Sequence, residues 1–292
     1  MIATTGFFDG VHLGHRLVIE RLVSMARKRG DESLVVTFWP HPRAVLQDGA
    51  RELRLLTTLE EKKALLFGLG VDRVEVLDFS RAFAALTAEE YLRDVLQARF
   101  GVTTLLMGYD NRLGSDRLTA GELKGVAEGL GVELVELEPF GRPGPTHVSS
   151  TVIRNLLLEG KVEAAEEMLG YGYSLTGVVV AGNHLGRTIG FPTANMRLYE
   201  PLKLVPGRGV YAVDVKVLGN AYRGMTNVGM KPTVGGTFRT IETNVLDFDE
   251  DVYGLPLTIT FRRRLRDEVR FPSLPALRAQ LEKDREACRL IK

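Results

Sequence analysis

Gly6-Phe7-Phe8-Asp9-Gly10-Val11-His12-Leu13-Gly14-His15 is the stretch that decides the fold. The residues before it, Ile2-Ala3-Thr4-Thr5, allow only a short strand. After it, Ile19, Leu22, Val23 and Ala26 recur at helical spacing up to Gly30, with Lys28 and Arg29 in the last turn. The predicted order is therefore strand, glycine-punctuated turn, helix. A helix start of this kind turns free N–H groups and the positive end of its dipole toward an anion, and Gly10 and Gly14 let a phosphate approach the backbone. His12 and His15, with a glycine between them, can both donate hydrogen bonds to phosphoryl oxygens in one pocket. Two other readings stand beside this one: ordinary surface histidines, or part of a zinc site. Zinc needs three or four protein ligands. The remaining histidines are His41, His147 and His184, and no third His or Cys lies nearby.

Outward from this turn the first half alternates strand and helix. Leu34–Phe38, Val74–Leu77, Thr104–Met107 and Glu133–Leu137 read as strands. Three of the intervening helices open with a capping box: Thr58 with Glu61, Thr87 with Glu90, and Thr119 with Glu122. Repeated βα units predict a doubly wound parallel sheet, with ligands bound beyond the carboxyl ends of its strands. Two loops fall at such ends, Phe38-Trp39-Pro40-His41-Pro42-Arg43 and Gly108-Tyr109-Asp110-Asn111-Arg112-Leu113-Gly114. By residue type the first is a stiff proline-rich loop. Further on, Ser149-Ser150-Thr151 opens a helix, and Arg154 follows one turn later. Such a cluster is by default an N-cap. With Arg154 it also makes a second phosphate clamp of hydroxyls, free N–H groups and a guanidinium.

A chain of 292 residues accommodates two domains. The net charge of +1 gives no reason to expect a nucleic-acid or membrane-surface partner. A single cysteine, Cys288, excludes an internal disulfide and fits a reducing compartment. No apolar run reaches the ~18 residues that span a bilayer. Met1-Ile2-Ala3 lacks the charged-then-apolar order of a signal peptide, so a cytoplasmic protein is expected. There is no G-x-x-x-x-G-K-[ST] string, which excludes an ordinary P-loop kinase.

The pattern changes after a helix at Val162–Leu169, and a domain boundary is expected at Gly170-Tyr171-Gly172, giving domains 1–170 and 171–292. From Tyr173 the segments read as strands until a last helix starting near Leu274. Expected strand segments include Gly177–Val180, Gly209–Val213, Asn227–Gly229 with Pro232-Thr233, Glu242–Phe248 and Asp251–Gly254. Gly182, Gly186 and Gly190 recur at every fourth position, which suits a mobile flap over phosphates or, equally, a plain wide loop.

The ten-residue opening string resembles the H-x-G-H signature of the nucleotidyltransferase superfamily. Its G-x-F-D-G-V-H-x-G-H form is similar to the adenylyltransferase half of the bacterial bifunctional riboflavin kinase/FMN adenylyltransferases, the prokaryotic FAD synthetases. The resemblance continues through the F-x-P-H-P loop, a G-x-D-F-R-F-G loop and an S-S-T-x-I-R motif. After Tyr173 the strand succession resembles a riboflavin kinase module. Motif order is kept over nearly the whole chain. Departures are Asn111 and Leu113 in place of aromatics, Val152 where a basic residue is common, and a shorter stretch before the first strand.

The resemblance implies a Rossmann-like parallel-sheet domain followed by a six-stranded β-barrel with a terminal helix. It implies two reactions, phosphorylation of riboflavin and adenylylation of FMN, with riboflavin, FMN and ATP as small-molecule partners. Mg²⁺ is the implied cofactor, and any self-association is expected to be transient. Catalytic roles fall on His12, His15 and Glu242. Gly6, Phe7, Asp9, Gly14, Asp110, Ser150, Thr151 and Arg154 are implied in ATP and phosphate binding by the first domain. Gly182, Gly186, Arg187, Thr193 and Asn195 have that role in the second. Pro40, His41 and Pro42, and in the barrel Arg266 and Glu268, are implied on the flavin, and Thr193 and Asn195 on the metal.

Overall fold

In the computed structural model, residues 1–46, 53–108, 111–137, 148–182, 185–233 and 236–291 are described. The chain packs as two units, Met1–Ser149 and Ser150–Lys292.

The first unit is built on β1 (Ile2–Thr5), whose four residues are all buried. The turn then feeds α1 (Leu13–Arg29), which ends where Gly30 adopts the left-handed conformation at φ 70°. Next come β2 (Ser33–Trp39), α2 (Pro42–Leu46), α3 (Leu59–Gly68) and β3 (Arg73–Asp78). Short helices α4 (Arg81–Ala84) and α5 (Ala88–Glu90) lead into a π-helical stretch, Tyr91–Gln97, and α6 (Ala98–Phe100). The unit closes with β4 (Thr104–Gly108), α7 (Ala120–Gly129) and β5 (Glu133–Leu137). All three capping boxes form, at the starts of α3, α5 and α7.

The sheet order is β3-β2-β1-β4-β5, and all four ladders are parallel. β1 is thus central, and the chain crosses to its other side between β3 and β4. This is the topological switch of a doubly wound sheet, where ligands bind beyond the strand ends. Two apolar cores cover the faces. Ile19, Leu22 and Val23 of α1 pack with Val35 and Leu106 on one, and Leu92, Leu96 and Leu123 pack with Leu105 and Val36 on the other. Leu113, standing where an aromatic is usual, is buried in the second core.

The second unit begins with α8 (Ser150–Leu158) and α9 (Val162–Leu169). Then follow β6 (Ser174–Val180), α10 (Leu185–Thr188) and β7 (Ala194–Leu198). β8 (Gly209–Val217), β9 (Asn220–Thr233), β10 (Gly236–Val245), β11 (Pro256–Arg266) and α11 (Leu274–Leu290) complete it. The six strands close into a barrel in the order β10-β7-β6-β11-β8-β9. Alternate residues of β6 and β11, among them Leu175, Val179, Leu257, Ile259 and Phe261, fill its interior.

Two sequence expectations need correction. Asp251–Gly254 is a turn, not a strand. The Asp251 side chain accepts a hydrogen bond from the Tyr253 N–H at 3.1 Å, an Asx turn, and Gly254 has φ 76°. β10 stops at Val245, because Asp247 takes φ 55° and leaves the ladder. Among the described residues of the glycine-rich segment, a single helical turn, α10, stands where a flap or wide loop is expected. No helix among the described residues is long and apolar enough to cross a membrane.

Candidate active sites

The turn between β1 and α1 is held in an unfavourable backbone shape by packing. Phe8 (φ 52°) and Val11 (φ 36°) are non-glycine residues at positive φ, and both side chains are buried. Asp9 is also buried, and its carboxylate accepts the backbone N–H groups of Leu56 and Thr57 at 3.0–3.1 Å. The Thr57 hydroxyl in turn accepts the Gly10 N–H at 3.1 Å. Asp9 therefore ties the turn to the segment that enters α3.

His12 is the N-cap of α1, and its Nδ1 accepts the His15 N–H at 3.4 Å. That acceptor role puts the proton of a neutral His12 on Nε2. The two imidazoles stack, with ring centroids 3.6 Å apart and planes 17° from parallel. Gly14 leaves room for the stack, since a Cβ there would press on His12 at 3.3 Å from Cε1 and Nδ1. The same position lies 3.9 Å from the Val148 carbonyl oxygen. The Phe8 ring meets His15 edge-on at 5.3 Å. Burial first, then His12 and Lys62, push the His15 pKa well below its usual value, and its buried Nδ1 has no hydrogen-bond partner among the described residues. The first turn of α1 holds no acidic residue to compete with an anion, although the N–H of His15 is already taken by His12 Nδ1.

Around this pair stand residues from the ends of neighbouring strands. The His41 ring packs on Phe7 with centroids 4.1 Å apart, and its Nδ1 accepts the Arg43 N–H. Pro40, after a cis bond from Trp39, and Pro42, the first residue of α2, flank it. Lys62 of α3 went unnoticed in the sequence. It is wholly buried, its Nζ 3.6 Å from the Phe7 ring centroid and 3.2 Å from the Thr37 hydroxyl. The signal was available: Lys62 stands four residues before the buried Leu66, on the inward stripe of α3. Asp110 lies outside the described residues. Ser150 and Thr151 open α8, with Arg154 one turn along, in the second unit.

In the barrel, residues far apart in sequence fall on one ladder row. Asn195 of β7 faces Glu242 of β10, Glu242 faces Asn227 of β9, Asn227 faces Val210 of β8, and Val210 faces Arg266 of β11. Glu242, Asn227, Val210 and Arg266 line a cavity of about 590 Å³. Its apolar wall includes Phe191 and Met225, with Leu274, Leu277 and Leu281 of α11. Thr193, Gly186 and Glu268 complete the match with the expected residues. Gly182, Arg187 and Asn195 are outside the cavity wall. Gly182 lies against Asn195, whose Nδ2 would be 2.1 Å from any Cβ there.

Charge in this cavity is organised by ion pairs. Lys231 Nζ stands 2.7 Å from Glu242 Oε1. Arg208 donates to Glu268 at 2.9 Å. Asp284 of α11, only 4% exposed, receives Arg266 through Nε and Nη2, while Gln280 Nε2 donates to the same carboxylate. The Asn244 amide is fixed by the Pro192 carbonyl at 2.7 Å. Asn227, Asn244, Lys231 and Asp284 are site residues the sequence reading missed. Nothing in their local pattern separates them from other strand and helix polar groups. No group of three His, Cys, Asp or Glu side chains that could hold a metal occurs among the described residues.

Comparison with known proteins separates the same two parts. Residues 1–152 match the family model described as FAD synthetase, and residues 169–292 match the one described as riboflavin kinase. The fold and these matches define a two-module transferase of flavin nucleotides. The bifunctional riboflavin kinase/FMN adenylyltransferase of Escherichia coli K12 is 38% identical over 97% of this chain and 90% of its own. That of Listeria monocytogenes is 36% identical over 99% and 91%. A crystal structure from Streptococcus pneumoniae, carrying the name macrolide-efflux protein, superposes with a TM-score of 0.93 at 34% identity, covering 100% of this chain and 94% of the other. This chain belongs to the bacterial bifunctional riboflavin kinase/FMN adenylyltransferase family.

Proposed function

We infer that this chain makes FAD in two steps. ATP phosphorylates riboflavin to FMN in the barrel, and a second ATP adenylylates FMN in the α/β unit, with release of pyrophosphate. What carries this is the likeness to enzymes of that name along 97% of the chain. The efflux activity in the Streptococcus name is not transferred, because both family models name flavin chemistry.

In the α/β unit the FMN phosphate attacks the α-phosphate of ATP in line. Such a displacement needs positioning and charge stabilisation rather than covalent chemistry from the protein. His12 meets the developing charge through Nε2–H, and His15 enters neutral, so both imidazoles stabilise the transition state as donors. Gly6, Phe7 and Gly14 shape the phosphate turn, and Asp9 acts by holding it against 56–57. Ser150, Thr151 and Arg154 clamp the phosphate chain, a role supported by hydroxyls and a guanidinium gathered at one helix start. Asp110 takes the ribose, and Pro40, His41 and Pro42 border the flavin.

In the barrel, Glu242 accepts the proton of the ribityl 5′-hydroxyl. Lys231 occupies one of its oxygens and leaves the other for that proton. Thr193 and Asn195 offer neutral oxygens, a donor set that fits Mg²⁺ brought in on ATP phosphates, where the ion keeps most of its water. Held there, the ion would neutralise phosphate charge. Gly182, Gly186 and Arg187 border the nucleotide, while Arg266 and Glu268 border the flavin. The functional boundary falls near Gly170, just past the start of the kinase match at 169. The buried free Cys288 supports a cytoplasmic setting. Chromatography of riboflavin incubated with ATP, Mg²⁺ and enzyme is the test. FMN and then FAD are expected, and absence of both refutes the reading.

A further inference from the structure

We propose that Lys62 is the buried cation of the adenylyl-transfer site: it fixes the Phe7-Phe8-Asp9 turn from beneath and lends positive charge to the phosphates that the turn receives. The inference rests on the reading of this unit as the FMN adenylyltransferase.

Lys62 is 0% exposed, and its ammonium donates to the Thr37 hydroxyl at 3.2 Å. Thr37 passes that bond on, donating to the Phe7 carbonyl at 3.1 Å. The relay thus ends on the backbone of the phosphate turn. The ammonium also lies 3.6 Å from the Phe7 ring centroid, on the ring that packs against His41. A buried ammonium has three protons to satisfy, and burying one is costly unless it is fully paired and hydrogen-bonded, which the lowered pKa shows it is not. Methionine would fill the slot without that cost. The group present is a cation, at the strand ends where two polyanionic substrates are expected.

The charged and titratable neighbours come from each element around it. Asp9 stands in the turn and favours the ammonium, while His15 stands on α1 and His12 caps it. Glu61, on its own helix, is engaged with the Thr58 N–H. Burial lowers the Lys62 pKa to about 8, so the cation is present at neutral pH and is lost just above it. Lys62 acts through Phe7 and Thr37 and is a positioning residue.

The test uses the full chain with Lys62→Met. FAD formation from supplied FMN and ATP, riboflavin phosphorylation, thermal melting and the pH profile of FAD formation are measured together. The expected result is a fall of at least about tenfold in kcat for FAD, with riboflavin phosphorylation unchanged. Wild type should lose activity as pH rises through about 8, and the variant should lack that limb. A variant within about twofold of wild type, or one that keeps the limb, overturns the proposal. Should Lys62→Met fail to fold, the wild-type profile alone decides, and a flat profile through this range overturns it. Wild type that makes no FAD at any pH instead overturns the adenylyltransferase reading itself.

Discussion

Replacing Lys62 by methionine is expected to stabilise the α/β unit while it slows FAD formation. The ordinary lysine pKa of 10.5 falls to about 8 in the folded chain. At about 1.4 kcal/mol per pH unit, keeping the ammonium charged inside the fold costs roughly 3 kcal/mol at neutral pH. Between about 8 and 10.5 the unfolded chain holds a proton that the folded chain has released, so wild-type stability rises with pH through that window. Below it the full cost stands. Methionine removes the cost and gives back about 1 kcal/mol for the hydrogen bond lost by Thr37. The net gain is about 2 kcal/mol at pH 7, or roughly 4–8 °C for a unit of this size. Trp39, the only tryptophan, ends β2 in this unit, and its fluorescence follows the unfolding. Urea melts of both proteins at neutral pH and near the top of the window give the answer. A variant no more stable than wild type at pH 7, or a difference that stays constant with pH, would refute this account of the buried charge.

Three further outcomes follow from the sites. His15→Ala should slow FAD formation by about 10²–10³ while FMN formation from riboflavin is unchanged; equal loss of both would make the turn a structural element only. Glu242→Gln should cut riboflavin phosphorylation by about 10²–10⁴ at saturating ATP and Mg²⁺, and turnover within about twofold of wild type gives the proton to another acceptor. Asp284→Asn should leave Arg266 without its counter-charge, destabilise the barrel unit by about 3 kcal/mol and raise the KM for riboflavin more than it lowers kcat; unchanged KM and melting would detach Arg266 from the flavin.

The parts legible in the sequence are those encoded by short-range chemistry. The β1 turn, the Gly30 terminus of α1 and the three Thr–Glu capping boxes are each written within a few residues, and all formed. The histidine pair was legible for the same reason. Its stacking was not, because that is set by tertiary packing, with Phe8 edge-on to His15 and close room at Gly14. The barrel register was hidden for a different reason. β11 carries irregularities between Phe261 and Arg263 and between Arg264 and Arg266, so a strict alternation counted along the strand fails there. Only pairing with β8 brings Arg266 onto the row of Asn227 and Glu242. Asp251–Gly254 misled because Val252 and Tyr253 favour strands, whereas the Asp251 side chain makes the local bond that competes with a ladder. Lys62 was overlooked because a lysine on a helix is ordinarily a solvent-facing residue.

The last helix forms part of the cavity wall, and this joins two events that could have been separate. Leu274, Leu277 and Leu281 of α11 face the space between themselves and the barrel, and Asp284 of the same helix secures Arg266 on its rim. A molecule that fills this space touches helix and barrel together, so every favourable contact it makes also strengthens the seating of the helix. By linkage, ligand at about a hundred times its dissociation constant adds roughly 2.7 kcal/mol to the assembled state. The seating of the helix would then report occupancy: a ligand in this cavity would hold it more firmly against the barrel than the empty cavity does.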